Sequence, residues 1–401
     1  MTPTVLLTIG RMPKGLDLAR GFRAAGARVV VADPFAWHVS RLSRDVDQSF
    51  RVRAPRDDAE GFLTDLIEIC QRERVDVVVP VSEEAMHVVG LADRLPVHTR
   101  LFAASATVVR ALHDKWAFNQ HAARLGLSVP RTAMLGTDAA QALVHDTDVV
   151  LKPQWSCGGM GIVFVDRGHT LPVAGDEPTL VQQRIHGLHR SSFTVAVRGV
   201  PIATSVYKGT AFSGTVSCAF ERDDATPQVT VWAEQFVRAT GHHGFLSLDF
   251  ILDDAGTPYA IECNPRVTSG VHMLDTAAIA DVVLQDRTDG RIPFRTRTRF
   301  QNFFATLMEA EGRLFTGRPS REQFRSLATS RDVVWSWRDP LPFLLMTPAS
   351  WPILKLAIFD KVPMSEGATR DIAWFARDAA MPATIVANAP ATPTLLTPSV
   401  P

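Results

Sequence analysis

Short apolar stretches alternate with helical segments through the first part of the chain. Residues 4–10 (TVLLTIG) and 27–34 (ARVVVADP) have the composition of buried strands, and residues 16–26 between them have helical spacing. A second amphipathic segment, residues 59–75, leads into the run DVVVPVSEEA at 76–85. Alternation of strand and helix at this spacing predicts a doubly wound parallel sheet of the α/β class. Such sheets bind their ligands beyond the carboxyl ends of the strands.

The strand ends of this predicted sheet carry few specific motifs. The stretch from Gly10 to Gly15 has neither the G-x-G-x-x-G pattern of dinucleotide sites nor the GK[ST] of a P-loop. Asp33 resembles a ribose-binding acid, but an aspartate at a strand end is more often a turn or cap residue. Glu83 and Glu84 are candidates for binding a substrate amine, and a surface turn is the alternative interpretation.

Composition narrows the function classes. The chain has 401 residues, enough for two or three domains. Lys plus Arg and Asp plus Glu number 42 each, so the net charge gives no reason to expect a nucleic-acid partner. The four cysteines have neither zinc nor disulfide spacing, and the first residues lack a signal-peptide pattern. We therefore expect a cytoplasmic protein.

One long apolar region lies at residues 340–359. It contains four prolines and Lys355, and this argues against a membrane span. We expect no membrane contact. The region is interpreted as a buried helix pair, a dimer face or a lid over an apolar substrate.

Changes of pattern divide the chain into four parts. Residues 106–125 have helical spacing with a break near His113–Lys115. We predict a first domain at 1–111, a strand-rich unit at 112–305, a helical, Trp-rich extension at 306–378 and a tail at 379–401. The tail is rich in Ala, Pro and Thr and is expected to be disordered. The extension is expected to form an apolar substrate pocket or a homodimer interface.

A lysine and a glycine loop follow one predicted strand. In VVLKPQWSCGGMGI (149–162), Lys152 ends the apolar run, and Gly158, Gly159 and Gly161 come soon after. Backbone N–H groups of a glycine loop can approach phosphate oxygens closely, and a lysine adds positive charge. An ordinary hairpin between 149–151 and 162–165 is the alternative.

The stretch FLSLDFILDDAGTPYAIECNPR reads as a hairpin with its turn at residues 254–256. A turn centred between Ala255 and Gly256 places Asp249 opposite Glu262 and Leu252 opposite Tyr259. Opposed side chains lie about 5 Å apart at Cβ. Asn264 shares the face of Glu262 because it lies two residues further along the strand. Apolar neighbours on both faces predict burial, and two buried, opposed carboxylates require a cation. Oxygen ligands alone favour a hard ion, Mg²⁺ above all.

In combination, these motifs resemble the ATP-grasp superfamily over residues 4–305, in its carboxylate–amine ligase and carbamoyl-phosphate-synthase-like branch. The resemblance implies a pre-ATP-grasp domain with the parallel sheet, followed by a two-lobed α+β ATP-grasp domain. The helical extension lies outside this core.

The resemblance also implies a nucleotide site. Lys115 in HDK and Lys152 in VVLKP match the two phosphate-binding lysines, and SCGGMGI matches the flexible glycine loop. LVQQRIHG matches the hinge that reads adenine, with Ile185 as the N–H donor. Gln182 and Gln183 stand where the family usually has a glutamate, and His189 stands at the place of the ribose-binding glutamate.

The metal site and the reaction follow from the same resemblance. Asp249, Glu262 and Asn264 correspond to the metal ligands, which implies ATP with two Mg²⁺ ions and Mn²⁺ as a substitute. The implied enzyme is a ligase that turns a small-molecule carboxylate into an acyl phosphate and couples it to an amine, releasing ADP and phosphate. Arg266 is expected to bind the substrate carboxylate or the acyl-phosphate intermediate. Lys208 is expected to bind the γ-phosphate, and the alternative for Lys208 is a solvated strand residue. Glu83 and Ser269 are further substrate candidates. Carboxylation, thiol ligation and non-catalytic ATP binding remain alternatives.

Overall fold

The structure is a computed structural model that describes residues 2–156, 159, 161–315, 321–359 and 364–374. Gly158 and the tail at 379–401 therefore lie outside the described residues. The first unit is a parallel five-stranded sheet of order β3-β2-β1-β4-β5. Its strands are β1 (Thr4–Leu7), β2 (Arg28–Asp33), β3 (Gln48–Arg51), β4 (Val77–Val79) and β5 (Arg100–Leu101). The predicted doubly wound sheet is confirmed.

Helices cover both faces of this sheet, and for this reason its strands are apolar without alternation. The helices of this part and of the link to the next unit are α1 (Pro13–Ala24), α2 (Ala59–Glu73), α3 (Ala85–Val88), α4 (Ala106–His113) and α5 (Lys115–Arg124). On one face Val5 and Leu7 pack with Phe22 of α1, and on the other Leu6 packs with Phe62 of α2.

Two further sheets build the next unit. A four-stranded antiparallel sheet has the order β6-β9-β7-β8, with β6 (Thr132–Met134), β7 (Val149–Pro153), β8 (Val163–Val165) and β9 (Thr179–Gln183). A seven-stranded sheet has the order β14-β13-β10-β11-β12-β15-β16. Its strands are β10 (Leu188–Val197), β11 (Val200–Ser213), β12 (Val216–Arg222), β13 (Gly244–Leu252), β14 (Pro258–Asn264), β15 (Arg299–Gln301) and β16 (Arg331–Asp332). Each sheet has its own helical cover, in agreement with the two-lobed α+β arrangement.

The remaining helices complete these lobes and the C-terminal part. They are α6 (Asp138–Asp146), α7 (Pro227–Thr240), α8 (Thr276–Gln285), α9 (Phe303–Phe315), α10 (Arg321–Thr329), α11 (Leu341–Leu344), α12 (Met346–Ala349), α13 (Trp351–Phe359) and α14 (Met364–Gly367). The predicted break near residue 114 falls between α4 and α5, where the Asp114 side chain caps α5. Among the described helices, none is long and apolar enough to cross a membrane.

The hairpin of β13 and β14 has the predicted pair of acids. Asp249 lies opposite Glu262, as expected, but Leu252 lies opposite Pro258, and Tyr259 opposite Ile251. The predicted Leu252–Tyr259 pair is therefore wrong. A β-bulge between the Asp249 and Phe250 pairs shifts the register by one residue.

Candidate active site

The two lysines converge because the start of α5 is fastened to the loop after β7. Asp114 accepts hydrogen bonds from the first amides of α5 and one from the Gln154 side chain at 2.6 Å. The backbone N–H of Lys115 donates to the Gln154 carbonyl. Lys115 Nζ donates to the Ser156 carbonyl at 2.6 Å, and Lys152 Nζ donates to the Ile261 carbonyl of β14 at 3.2 Å.

Both ammonium groups are buried beside carboxylates. Lys115 Nζ lies 3.5 Å from Glu262 Oε1. Burial lowers the pKa of Lys152 to about 8, although Glu262 and Asp249 oppose that shift. A pair of desolvated cations at this place is costly without anions, and the oxygens of a polyphosphate would supply them.

The acids lie in a row of polar side chains across the seven-stranded sheet. Tyr207, Ser191, Asp249 and Glu262 are successive cross-strand partners, so they share one face. The Ser191 hydroxyl donates to Asp249 Oδ1 at 2.6 Å, and Asn264 Nδ2 donates to Oδ2 at 3.1 Å. Burial, together with the charge of Glu262, raises the pKa of Asp249 to about 6.

This acid pair fits a magnesium ion. Asp249 and Glu262 would supply carboxylate oxygens and Asn264 an amide oxygen, and Asp249 holds its charge at a cost that a cation would reduce. Among the described residues no group of three or more His, Cys, Asp or Glu could hold a metal. A site of two acids and one amide leaves the other positions to water and phosphate, and this is how Mg²⁺ usually binds in nucleotide sites.

Arg266 joins the metal side of the site to the first domain. Its Nη2 donates to Asn264 Oδ1 at 3.1 Å and lies 2.5 Å from Glu83 Oε1. Arg266 opposes the effect of burial and holds the pKa of Glu83 below its usual value. Glu83 and Glu84 are both buried, so the surface-turn interpretation is wrong. The Glu84 carboxylate accepts hydrogen bonds from Thr8 and from the amides of Val81 and Ser82, which fixes the loop that presents Glu83.

Residues 112–270 match the family model of the ATP-grasp domain. The chain contains an ATP-grasp domain. A comparison with curated protein sequences gave no match.

Solved structures with similar folds agree with this assignment. N5-carboxyaminoimidazole synthetase from Staphylococcus aureus aligns at a TM-score of 0.59 and 13% identity, over 80% of this chain and 89% of that one. The biotin carboxylase domain of 2-oxoglutarate carboxylase from Hydrogenobacter thermophilus, solved with MgADP and bicarbonate, gives 0.57 and 13%, over 73% and 71%. L-amino acid ligase from Bacillus licheniformis gives 0.51 and 16%, over 71% and 74%. At these identities the likeness shows the fold only.

The hinge glutamines of the ATP-grasp domain point in different directions. Gln182 is opposite Val150 and therefore shares the sheet face of Lys152, whereas Gln183 is opposite Val149 and lies on the other face. Gln182 Nε2 donates to the Thr132 hydroxyl at 3.1 Å. The position of Gln182, but not that of Gln183, suits a contact with a nucleotide beside Lys152.

The other predicted nucleotide contacts lie on β10 and on the segments that adjoin β7 and β9. Ile185 follows β9 and is half-buried, and His189 lies two residues before Ser191 on the same face of β10. Gly159 and Gly161 both have positive φ, near +75° and +73°. A Cβ on Gly161 would lie 2.8 Å from Pro153 Cγ, so glycine is needed where the loop returns to β7.

Two predicted residues are not joined to the cluster. Lys208 Nζ lies 3.7 Å from Glu221 Oε2. Lys208 neighbours Tyr207 on β11, so its side chain is on the opposite face from the row that includes Asp249. Ser269 starts the 3-10 turn Ser269–Met273 beyond Arg266 and is half-buried.

Sequence reasoning missed three polar residues at the site. Ser191 and Tyr207 belong to the row of Asp249, but only the pairing of distant strands reveals this. His113 was read as a helix break, although its place in HDK beside Lys115 is a usable signal. It is buried, and burial lowers its pKa to about 4.

The C-terminal segment 369–374 returns to the first domain near the site. Asp371 forms a two-pronged ion pair with the buried Arg11, whose guanidinium also pairs with Asp33. Asp33 is thus occupied as a structural residue. Trp374 is buried against α3, where it packs with Ala85 and Met86 and makes an edge contact with the ring of His87 at a centroid distance of 4.8 Å. The segment therefore covers the carboxyl ends of the parallel strands.

Proposed function

We propose that this protein is an ATP-dependent ligase that activates a carboxylate as an acyl phosphate and couples it to an amine, with release of ADP and phosphate. The observation that carries the proposal is the chain of contacts Asp249–Asn264–Arg266–Glu83. It links the phosphate side of the ATP-grasp domain to a buried acid on the first domain, so the γ-phosphate and a second substrate can meet at Arg266.

In this proposal the lysines hold the nucleotide. Lys115 and Lys152 bind phosphate oxygens, the loop with Gly159 and Gly161 covers them, and Gln182 contacts the base. Asp249, Glu262 and Asn264 hold Mg²⁺, which would neutralise charge on the phosphates. Stabilisation of this charge is the main catalytic task in phosphoryl transfer.

Arg266 has the substrate role. Its guanidinium is anchored on two sides, by Asn264 and Glu83, and keeps a small exposed fraction of 13%. A planar cation fixed in this way can bind a carboxylate through two hydrogen bonds and then stabilise the acyl phosphate formed from it. Glu83 is the acid that meets the amine. Small amino acids are the favoured substrate class because they carry both groups.

Phosphate release from ATP with Mg²⁺, measured across pools of amino acids and other carboxylic acids, tests this proposal. We expect ADP and phosphate with particular pools, and a loss of at least about 100-fold in Glu262→Gln. Asp254→Asn removes an exposed acid from the turn of the same hairpin and serves as the matched control. A carboxylate labelled with ¹⁸O should transfer one labelled oxygen to the released phosphate. AMP and pyrophosphate, or unlabelled phosphate, would refute the mechanism.

A carboxylation reaction is the second candidate. It is favoured by the fold similarity to a biotin carboxylase domain and to N5-carboxyaminoimidazole synthetase. Phosphate release that depends on bicarbonate, in buffer otherwise freed of carbon dioxide, would support it over amine ligation. A non-catalytic ATP-binding protein would bind nucleotide without any turnover. The complete set of lysines, acids and Arg266 speaks against that reading, because binding alone does not need it.

A further inference from the structure

Three buried polar atoms around Arg266 have no hydrogen-bond partner within the described part of the chain. They are Glu83 Oε2 and both ring nitrogens of His113. The side chains come from different elements, the loop after β4 and the last residue of α4. A buried polar atom without a partner loses its hydrogen bonds to water and destabilises the folded state. Such atoms in one place therefore require an explanation.

His113 lies among the charged groups of the site. Glu83, Lys115, Glu262 and Arg266 all act on its pKa, and Glu83 is the strongest of the four. Its ring faces Trp155 at a centroid distance of 6.1 Å. Only 2% of His113 is exposed, so bulk water does not satisfy the ring. A neutral imidazole has one nitrogen that accepts a hydrogen bond and one that donates.

Glu83 is half used. Its Oε1 takes the ion pair with Arg266 at 2.5 Å, and its Oε2 is the orphan atom. The orphan set thus contains one imidazole acceptor and one oxygen of the carboxylate that is paired with Arg266, the residue proposed to hold the activated carboxylate. An ammonium group has three donors and no acceptor. It matches these two acceptors and is attracted by the carboxylate charge.

We propose that Glu83 Oε2 and His113 form the subsite for the amino group of the second substrate, the primary amine of an α-amino acid. His113 is the residue that nothing in the sequence pattern assigned to the substrate. It accepts a hydrogen bond from the amine, while Arg266 holds the acyl group on the other side. This inference rests on the proposed ligase function and adds His113 as the second group that binds the amine.

The test separates the two half-reactions. Wild type is supplied with ATP, Mg²⁺ and an equimolar mixture of the twenty standard amino acids, and amide product is compared with the hydroxamate formed when hydroxylamine is added. Hydroxylamine is small and largely uncharged at neutral pH, so it traps an acyl phosphate without an ammonium subsite. We expect His113→Leu to lower amide formation about tenfold to a hundredfold and to change hydroxamate formation less than about twofold. His113→Asn, which keeps a hydrogen-bonding group, should recover part of the amide activity.

His242→Asn is the matched control, because His242 is another buried histidine with one nitrogen bonded to the Phe245 carbonyl. It should leave the ratio of amide to hydroxamate unchanged. The increase in melting temperature on adding MgADP shows whether each variant is folded. An equal fall of both products, or no change in either, would overturn this inference alone. Wild type that forms neither product would overturn the ligase function, and this inference with it.

Discussion

Replacement of Asp249 by Asn should stabilise the metal-free protein and abolish its activity. The carboxylate is partly removed from water and lies opposite Glu262, and its pKa rises from 3.8 to about 6. One pKa unit corresponds to about 1.4 kcal/mol, so the full shift amounts to about 3 kcal/mol against the ionised form. The side chain is only part-buried and shares its repulsion with Glu262, so we expect a gain of about 1–2 kcal/mol. The Asn side chain can still accept from Asn264, and its NH₂ group can donate to the Ser191 oxygen with the direction of that hydrogen bond reversed, so both local contacts can form.

The pH dependence gives the sign of this effect. A carboxyl group whose pKa is higher in the folded chain than in the unfolded chain stabilises the folded state at pH values below its unfolded-state pKa. This contribution is lost as the pH rises through the folded-state pKa. The contribution of Asp249 should therefore be lost as the pH rises from 4 to 6, and Asp249→Asn should lack this component. Thermal unfolding of both proteins at pH 5 and pH 8, in EDTA, measures the difference. Asp254→Asn in the exposed turn is the control.

Addition of MgADP should reverse the order of the melting temperatures of wild type and Asp249→Asn. A ligand present at 100 times its dissociation constant stabilises by about 2.7 kcal/mol, which exceeds the expected gain of the variant. Wild type should then melt above Asp249→Asn, because the variant lacks a metal ligand. An Asp249→Asn protein that melts below wild type in EDTA, or that keeps its ATP turnover, would refute the reasoning from charge repulsion.

Three further predictions follow from the described contacts. Arg266→Lys should lower turnover at least about 100-fold without loss of ADP binding, because an ammonium cannot replace the guanidinium fork that is proposed to bind the substrate carboxylate; an unchanged kcat at saturating substrate would contradict this. Gly161→Ala should destabilise the folded protein by about 1 kcal/mol or more and raise the KM for ATP, because φ is positive at this position and the new Cβ would clash with Pro153. An unchanged melting temperature and KM would contradict this prediction. Burial lowers the pKa of His242 to about 4, so the unfolded chain takes up a proton near pH 6.5 that the folded chain refuses. The contribution of His242 to stability should therefore fall as the pH drops from 6.5 to 4, so the melting temperature of His242→Asn should rise relative to that of wild type over this range; parallel curves would show that another group is responsible.

The hairpin shows how a correct pair can come from a partly wrong geometry. The predicted turn centre lay between Ala255 and Gly256, whereas the loop of five residues runs from Asp253 to Thr257 and is centred on Ala255. The bulge adds one residue to β14 and restores the offset before Glu262. A turn can be predicted from the few residues that form it. A bulge depends on the residues paired across the sheet, so the pattern of apolar residues in one strand does not predict it.

The remaining differences have the same origin. The break between α4 and α5 can be predicted from the sequence, because Asp114, the residue that caps α5, lies at the break itself. The sequence does not show on which face of the sheet the Lys208 side chain lies, because this depends on the register of β11 with its neighbours. Nor does it reveal that Glu83 is buried, since Arg266 lies more than 180 residues further along the chain. Residues for phosphate and metal were recognisable as motifs, whereas contacts made by tertiary packing were not.

The seven-stranded sheet runs without interruption into the C-terminal part. β15 pairs with β12 on one side and with β16 on the other, and α9 and α10 lie between β15 and β16 along the chain. A chain cut at residue 305 would thus bare the three-residue strand β15, whose N–H and C=O groups could pair with a second copy. Self-association of such a shortened chain would be a product of the cut, and a native dimer interface has to be sought with the full chain.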